Sequence, residues 1–372
     1  MNAPEPLAPS APPGRILCQR GDGIGGRLLT LLWTMRLAAK VDAGVLMFWP
    51  RLQLFYDNRS DAGDIFDLYR LASPPFQGRL QIVDGDCRNY FRARTVNLRK
   101  QQAYDPRDFV VPVDMDASQV KAPVICGHWE GPFLSPGETP ETALAEARAL
   151  FATLPLRGDL MGQIDRLAGG QRLSRMVAVH VRRGEIVRNL RQAVSELRRN
   201  EPGARDMLDE RIGTFTRRCM SVNNFADAVR PFVDRGREIL VFSDEAGAAR
   251  DLADALGTSE ILSAASLIEG GLTPLQQAFV EAVLMSSCSH IVGARSAYSR
   301  LANVIGGNKH IVLGKGWRSP QDCAAYLLQS ISEELLSHPK REYIERRVRE
   351  LSENPARPRP GRMSSATKVA ED

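Results

Sequence analysis

Short apolar runs alternate with longer amphipathic stretches along most of this chain, and that alternation limits the fold more than any other feature. The runs stand at ILC (16–18), VLMFW (45–49), LQIV (80–83) and PVIC (123–126), then at MVAVHV (176–181), EILVFS (238–243), HIVG (290–293) and HIVL (310–313). Each reads as a strand buried on both faces. Between them, RLLTLLWTMRLAAK (27–40) and ETALAEARALFATL (141–154) place apolar residues at helical spacing. TPLQQAFVEAVLMSSC (273–288) opens with a Thr cap followed by Pro, a helix start. Strand–helix alternation of this kind predicts an α/β fold with parallel sheets and helices on both faces. The two series part near residues 155–172, which predicts two Rossmann-like domains facing each other across a cleft, residues 14–158 and 159–353. Final helices over 319–337 and 341–352 either close the second domain or cross back over the first. The ends, 1–13 and 354–372, are rich in Pro and small residues and read as disordered tails.

Composition removes several classes. Of 372 residues, 43% are hydrophobic and 25% charged, which fits a folded globular chain rather than a disordered one. No run of about 18 apolar residues exists, so no transmembrane segment is expected. The six cysteines (Cys18, Cys87, Cys126, Cys219, Cys288, Cys323) form no CxxC pair, and no histidines cluster, so neither a zinc site nor a disulfide scaffold is expected. They read as reduced core thiols of a cytoplasmic protein. The net charge is +5, and ten arginines fall between Arg182 and Arg218 against six acids. Such a stretch suits an anionic ligand, or else forms a solvated helix face. Aromatics are 6% and do not alternate with the basic residues, so nucleic acid is not an expected partner.

Four motifs carry chemistry. In RGDGIGGRL (20–28), Gly21, Gly23 and Gly26 satisfy G-x-G-x-x-G between a strand and a helix. Backbone amides at such a helix start hold a pyrophosphate in dinucleotide enzymes. Those enzymes place an acid at the end of the second strand, whereas this one ends in Trp49-Pro50. An NAD(P)-dependent oxidoreductase therefore stays an alternative, beside a turn shaped for another anion or sugar and a purely structural turn. MVAVHVRRGE (176–185) delivers His180, Arg182, Arg183 and Glu185 to the carboxyl end of a central strand, where open α/β sheets bind ligands. Side chains alternate, so His180 and Arg182 share one side and Arg183 takes the other. An arginine there can grip a diphosphate; the structural alternative is an Arg183–Glu185 ion pair above a core histidine. In ILVFSDEAGA (239–248), Ser243, Asp244 and Glu245 open a helix, as caps or as ligands of base or ribose hydroxyls. In residues 276–307, Glu281 interrupts an apolar helix face, and Ser296 and Ser299 begin a helix whose start is either an ordinary cap or a phosphate seat.

Taken together, HVRRGE, VFSDE and EAVLMSSCSHIVGARSAYSRLA resemble the fucosyltransferase superfamily, which includes α-1,2-, α-1,6-, nodulation and protein O-fucosyltransferases. GDGIGGRLLTLLWTMRLA is similar to that superfamily's opening G-x-G-x-G-N-x-L loop, with Gly23 and Gly25 on its glycines and Gly26 in place of Asn. HWEGPF (128–133) is similar to the aromatic strand end that precedes the second domain in the α-1,2 group. The resemblance spans roughly 15–310 and implies a GT-B glycosyltransferase with GDP-fucose as donor, no cofactor, a glycan acceptor and inversion without a metal. It implies that Arg182 meets the β-phosphate and that His180 and Glu281 lie near the nucleotide; Arg183, Ser243, Asp244, Ser296, Gly23, Gly25 and Gly26 are the further candidates for donor binding. Glu281 stands where many members have Asp, Ser296-Ala297 replaces a serine pair, and Glu185 replaces Asp. The base that takes the acceptor proton is expected to be Glu185 or Glu130. A non-catalytic nucleotide- or glycan-binding homologue is the remaining alternative.

Overall fold

All eight apolar runs become strands. The computed structural model describes residues 14–51, 61–90, 92–96, 104–113, 121–126, 132–170, 172–259, 261–268, 270–314 and 316–354. Among them the first sheet contains β1 (Gly14–Gln19), β2 (Gly44–Trp49), β3 (Leu80–Asp84), β4 (Arg92–Val96), β5 (Val110–Pro112) and β6 (Lys121–Ile125). Its order is β3-β2-β1-β6-β4, with β5 laid antiparallel on β1, the one departure from the expected parallel pairing. The register sets Ile16 beside Val45 and Cys18 beside Met47. The second sheet contains β7 (Val177–Val181), β8 (Ile239–Ser243), β9 (Ile261–Ser263), β10 (His290–Gly293) and β11 (Lys309–Val312) in the order β11-β10-β7-β8-β9.

Counted from β7, the strands of the second sheet run third, second, first, fourth, fifth, which is the Rossmann order. β7 and β10 run parallel, with His180 beside Gly293, and it is between them that the chain switches from adding strands on one side of β7 to adding them on the other. In the first sheet the corresponding point lies between β1 and β6. Ligands of open α/β sheets bind outside such points. The glycine loop after β1 and the HVRRGE turn after β7 are therefore the segments at these positions.

Contacts divide the chain into two compact units. One holds the described residues up to His180 with those of Pro231–Phe242 and Glu260–Val312, and so carries nearly all of both sheets. Its core joins Leu28, Leu31, Leu32 and Trp33 of helix Ile24–Ala39 to Phe279 and Val280 of helix Pro274–Ser286 and Leu301 of helix Ala297–Gly306. Helix Ile24–Ala39 is buried on nearly every side, Arg27 and Arg36 included, because it packs on β1, β2 and three further helices. The second unit holds Val181–Arg230, Ser243–Ser259 and the described residues from Leu313 onward. It is helical, with a core built from Leu190, Leu208, Phe215, Leu327 and Ile344. No helix among the described residues is long and apolar enough to cross a membrane.

Candidate functional site

Strand β7 reads VAVHV and is buried throughout, as a central parallel strand must be. Past its end, within the helical unit, the paired arginines part company. Arg182 keeps 29% of its side chain exposed and donates from Nη2 to Glu185 Oε2 at 2.9 Å, while the Glu185 side chain is only 3% exposed. Arg183 is wholly buried. Its Nε donates to Glu245 Oε2 at 2.7 Å, and its guanidinium lies 4.8 Å from the centre of the Tyr326 ring. The Tyr326 hydroxyl donates to the other Glu245 oxygen at 3.0 Å. Burial, then the Glu245 charge working against the opposite pull of Arg183, leave that phenol well above its ordinary pKa. The Arg183–Glu185 pair entertained from the sequence does not form; each residue has a different partner.

Asp244 closes the turn. Its Oδ1 accepts from the amides of Arg183 (3.1 Å) and Gly184 (3.0 Å), and its Oδ2 from the amide of Glu185 (2.7 Å). The carboxylate thus caps helix Gly184–Arg198, reached from the neighbouring strand rather than from the helix's own flank. Gly184 is required there, since a Cβ would collide with the Asp244 carbonyl oxygen. Ser243 Oγ accepts from the Glu245 amide at 3.0 Å. Of the expected site residues, Arg182, Arg183, Glu185, Ser243 and Asp244 are therefore gathered in one cluster.

A second cluster forms in the sheet-bearing unit. Ser296 Oγ accepts from the Tyr298 amide at 3.1 Å and caps helix Ala297–Gly306. The Tyr298 hydroxyl donates to the Ala278 carbonyl at 2.7 Å and meets Glu281 Oε2 at 3.3 Å, while Gln277 Nε2 donates to Glu281 Oε1 at 3.0 Å. The Tyr298 ring packs on His180, their centres 5.1 Å apart. The structure thus brings His180, Glu281 and Ser296 together around a tyrosine.

The glycine loop leads to the same place. Gly23 is the N-cap of helix Ile24–Ala39, its carbonyl accepting from the amides of Gly26 and Arg27, with open space where a Cβ would stand. A Cβ on Gly25 would lie 2.7 Å from the backbone of Ala297 and Tyr298, so this glycine lets one helix start meet another. A Cβ on Gly26 would strike the Asp22 carboxylate, itself held by Arg20 at 2.8 Å. Arg27, fully buried, donates to the carbonyls of Asp22 and Pro50 and lies 4.7 Å from the Trp49 ring centre. Burial pushes its pKa down to about 10, against the pull of Asp22 and Asp84. Trp49-Pro50, standing where a dinucleotide enzyme has its acid, here serves that arginine.

Glu130 and most of HWEGPF lie outside the described residues, as do both terminal segments. Tyr298, Tyr326 and the buried role of Glu245 are not found from the sequence. Tyr298 stands inside a motif quoted for its serines; Tyr326 gives no local signal at all. Among the described residues no group of three or more His, Cys, Asp or Glu side chains is arranged to hold a metal ion.

No protein-family profile and no curated protein matches the chain. Solved structures do. The NodZ α-1,6-fucosyltransferase soaked with GDP-fucose is similar at a TM-score of 0.44 and 13% identity, over 78% of this chain and 92% of that one. NodZ from Bradyrhizobium gives 0.43 and 14% over the same shares. POFUT1 in complex with GDP-fucose gives 0.43 and 12%, over 83% of this chain and 100% of that one.

Proposed function

We propose that this chain is a GT-B glycosyltransferase that moves fucose from GDP-fucose to a hydroxyl of a glycan, with inversion and without a metal ion. The observation that carries the reading is Arg182: a guanidinium one residue past the central strand, partly open to solvent and held at 2.9 Å by a buried carboxylate. Departure of GDP places new negative charge on the β-phosphate. A donor fixed in advance beside that charge lowers the barrier without reorganising, and it does what a divalent cation does elsewhere. The Glu185 contact supports this by fixing the arginine's fork, which makes Glu185 a positioning residue for Arg182. Proton removal from the acceptor then falls to Glu130 or to Glu185 in a rearranged state. His180, Glu281 and Ser296 are proposed to contribute to nucleotide binding, with Gly23 keeping an open backbone approach.

The test is a screen of nucleotide sugars with mass analysis of products, run on wild type and Arg182→Ala. GDP-fucose should be consumed by wild type, and the variant should lose turnover by about two to three orders of magnitude while still folding, as read by circular dichroism. Near-normal transfer by the variant, or a wild type that uses no GDP-sugar, sinks the reading. Chelator should leave the rate unchanged, and inhibition reversed by manganese would contradict the metal-free step.

A further inference from the structure

We propose that Tyr326 is a positioning residue for Arg182, acting through Glu245 and Arg183, so that the second arginine of the pair anchors the first and does not touch the nucleotide. This rests on the donor reading above and gives a role to a residue that lies outside every motif. Arg183 is fixed at three points. Its amide donates to Asp244 Oδ1 at 3.1 Å, its carbonyl accepts from the Val187 amide at 2.9 Å, and its Nε donates to Glu245 Oε2 at 2.7 Å. Its side chain is wholly buried, so no ligand reaches it while this arrangement stands. Arg182 shares a peptide bond with this anchored residue and keeps 29% of its own side chain exposed. A shift of the anchor therefore passes directly to Arg182.

The anchor is held in a particular way. Arginine and carboxylate frequently close as a fork, with two parallel hydrogen bonds. Here Glu245 meets Arg183 at Nε, and both Nη atoms are buried without a hydrogen bond among the described residues. Nη2 stands 3.6 Å from the Asp251 carboxylate. Tyr326 accounts for the open fork. Its hydroxyl donates to Glu245 Oε1 at 3.0 Å and so engages the oxygen that a second arm would use. Its ring lies 4.8 Å from the guanidinium, centre to carbon, and packs on Phe215 and Trp317 with ring centres 6.0 and 5.5 Å away. Helix Pro320–Ser330 carries the tyrosine, which is thus fixed independently of the turn it holds. A buried ion pair adds little to stability by itself; what this one supplies is a defined place for the turn. Without the hydroxyl, Glu245 can swing Oε1 onto Nη2 and draw Arg183 into the fork, which shifts the backbone that presents Arg182.

The experiment is a double-mutant cycle read by GDP affinity, since GDP is the leaving group with its charge fully developed. Calorimetry compares wild type, Tyr326→Phe, Arg182→Ala and the double variant, with folding checked by circular dichroism. Tyr326→Phe keeps the ring and its packing. It should bind GDP about three- to tenfold more weakly, the worth of one hydrogen bond, and Arg182→Ala about tenfold or more weakly. Added to Arg182→Ala, Tyr326→Phe should cause no further loss, because its effect passes through a guanidinium that is gone. A merely structural role gives the same loss in both backgrounds. Arg183→Lys, which keeps the charge without the planar fork, should follow the same pattern. Unchanged GDP affinity in Tyr326→Phe, or a loss that persists beside Arg182→Ala, overturns the proposal. A persistent loss from Arg183→Lys makes Arg183 a nucleotide ligand and overturns it too. A wild type that binds no GDP, or an Arg182→Ala variant that binds it as tightly as wild type, sinks the donor reading itself.

Discussion

Two adjacent arginines that look equivalent in the sequence meet opposite fates, and the difference is a matter of which side of one strand each leaves. Alternation along β7 foretold that Arg182 and Arg183 point apart. It could not say that the inner one would be wholly buried against Glu245 and Tyr326. A buried guanidinium is tolerated only while its countercharge stays. Glu245→Gln should therefore cost about 3 kcal/mol, near the low end for breaking a buried pair because Asp251 remains 3.6 Å from Arg183. Tyr326→Phe, which removes one hydrogen bond to the same carboxylate, should cost about 1 kcal/mol. Urea unfolding reads both, and equal costs would refute the ordering. Gly25 is a residue-scale constraint of another kind. Its alanine variant must displace the backbone at Ala297 and Tyr298, which should cost about 1–3 kcal/mol as overpacking. An unchanged unfolding midpoint would show that the two helix starts yield freely.

At the scale of elements, the strands that were legible are those with continuous apolar runs. The missed ones lack that signal: β4 carries Arg92 and Arg94, β5 ends in Pro112, and β9 is three residues long. Long-range pairing, not local pattern, makes them strands. Asp244 shows the same limit. A carboxylate opening a helix suggests a cap for that helix, but here it caps the helix of the preceding strand–helix unit. Asp244→Ala strips an acceptor from three amides and should cost about 2 kcal/mol, with hydrogen exchange accelerated in the first turn of Gly184–Arg198. Uniform exchange along that helix would contradict it. His310 on the edge strand β11 adds a pH dependence. Burial, with Arg300 nearby, brings its pKa down to about 4, and its Nε2 is buried with no hydrogen-bond partner among the described residues. A histidine depressed in the folded state contributes stability above its unfolded pKa and loses it as pH falls toward the folded value. Melting temperature should drop between pH 6.5 and 4 in wild type and drop less in His310→Gln. Parallel curves would remove the assignment.

For the whole molecule, the decisive fact is that compactness does not follow the order of the chain. The sheet-bearing unit recruits Pro231–Phe242 and the residues of Glu260–Val312, while the helical unit recruits Ser243–Ser259 and everything described after Leu313. Strand–helix alternation made the α/β class legible, because it depends on local periodicity. The grouping of helices into a unit was not, because it depends on which apolar faces meet. Helices Gly184–Arg198, Ala204–Arg218, Pro320–Ser330 and Arg341–Glu353 contribute Leu190, Leu208, Phe215, Leu327 and Ile344 to a core that shares no residue with the core under the sheets. Elements that bury their apolar surface on one another open together. Native-state hydrogen exchange in rising denaturant should therefore merge the four helices onto one isotherm, separate from that of β1, β7 and β10. The helical unit, the smaller of the two, should open at the lower free energy, since less apolar surface is hidden there. If the amides of these helices and of the central strands instead converge on one opening free energy and one denaturant slope, the chain unfolds as a single body. The two cores would then be a feature of packing without a thermodynamic counterpart.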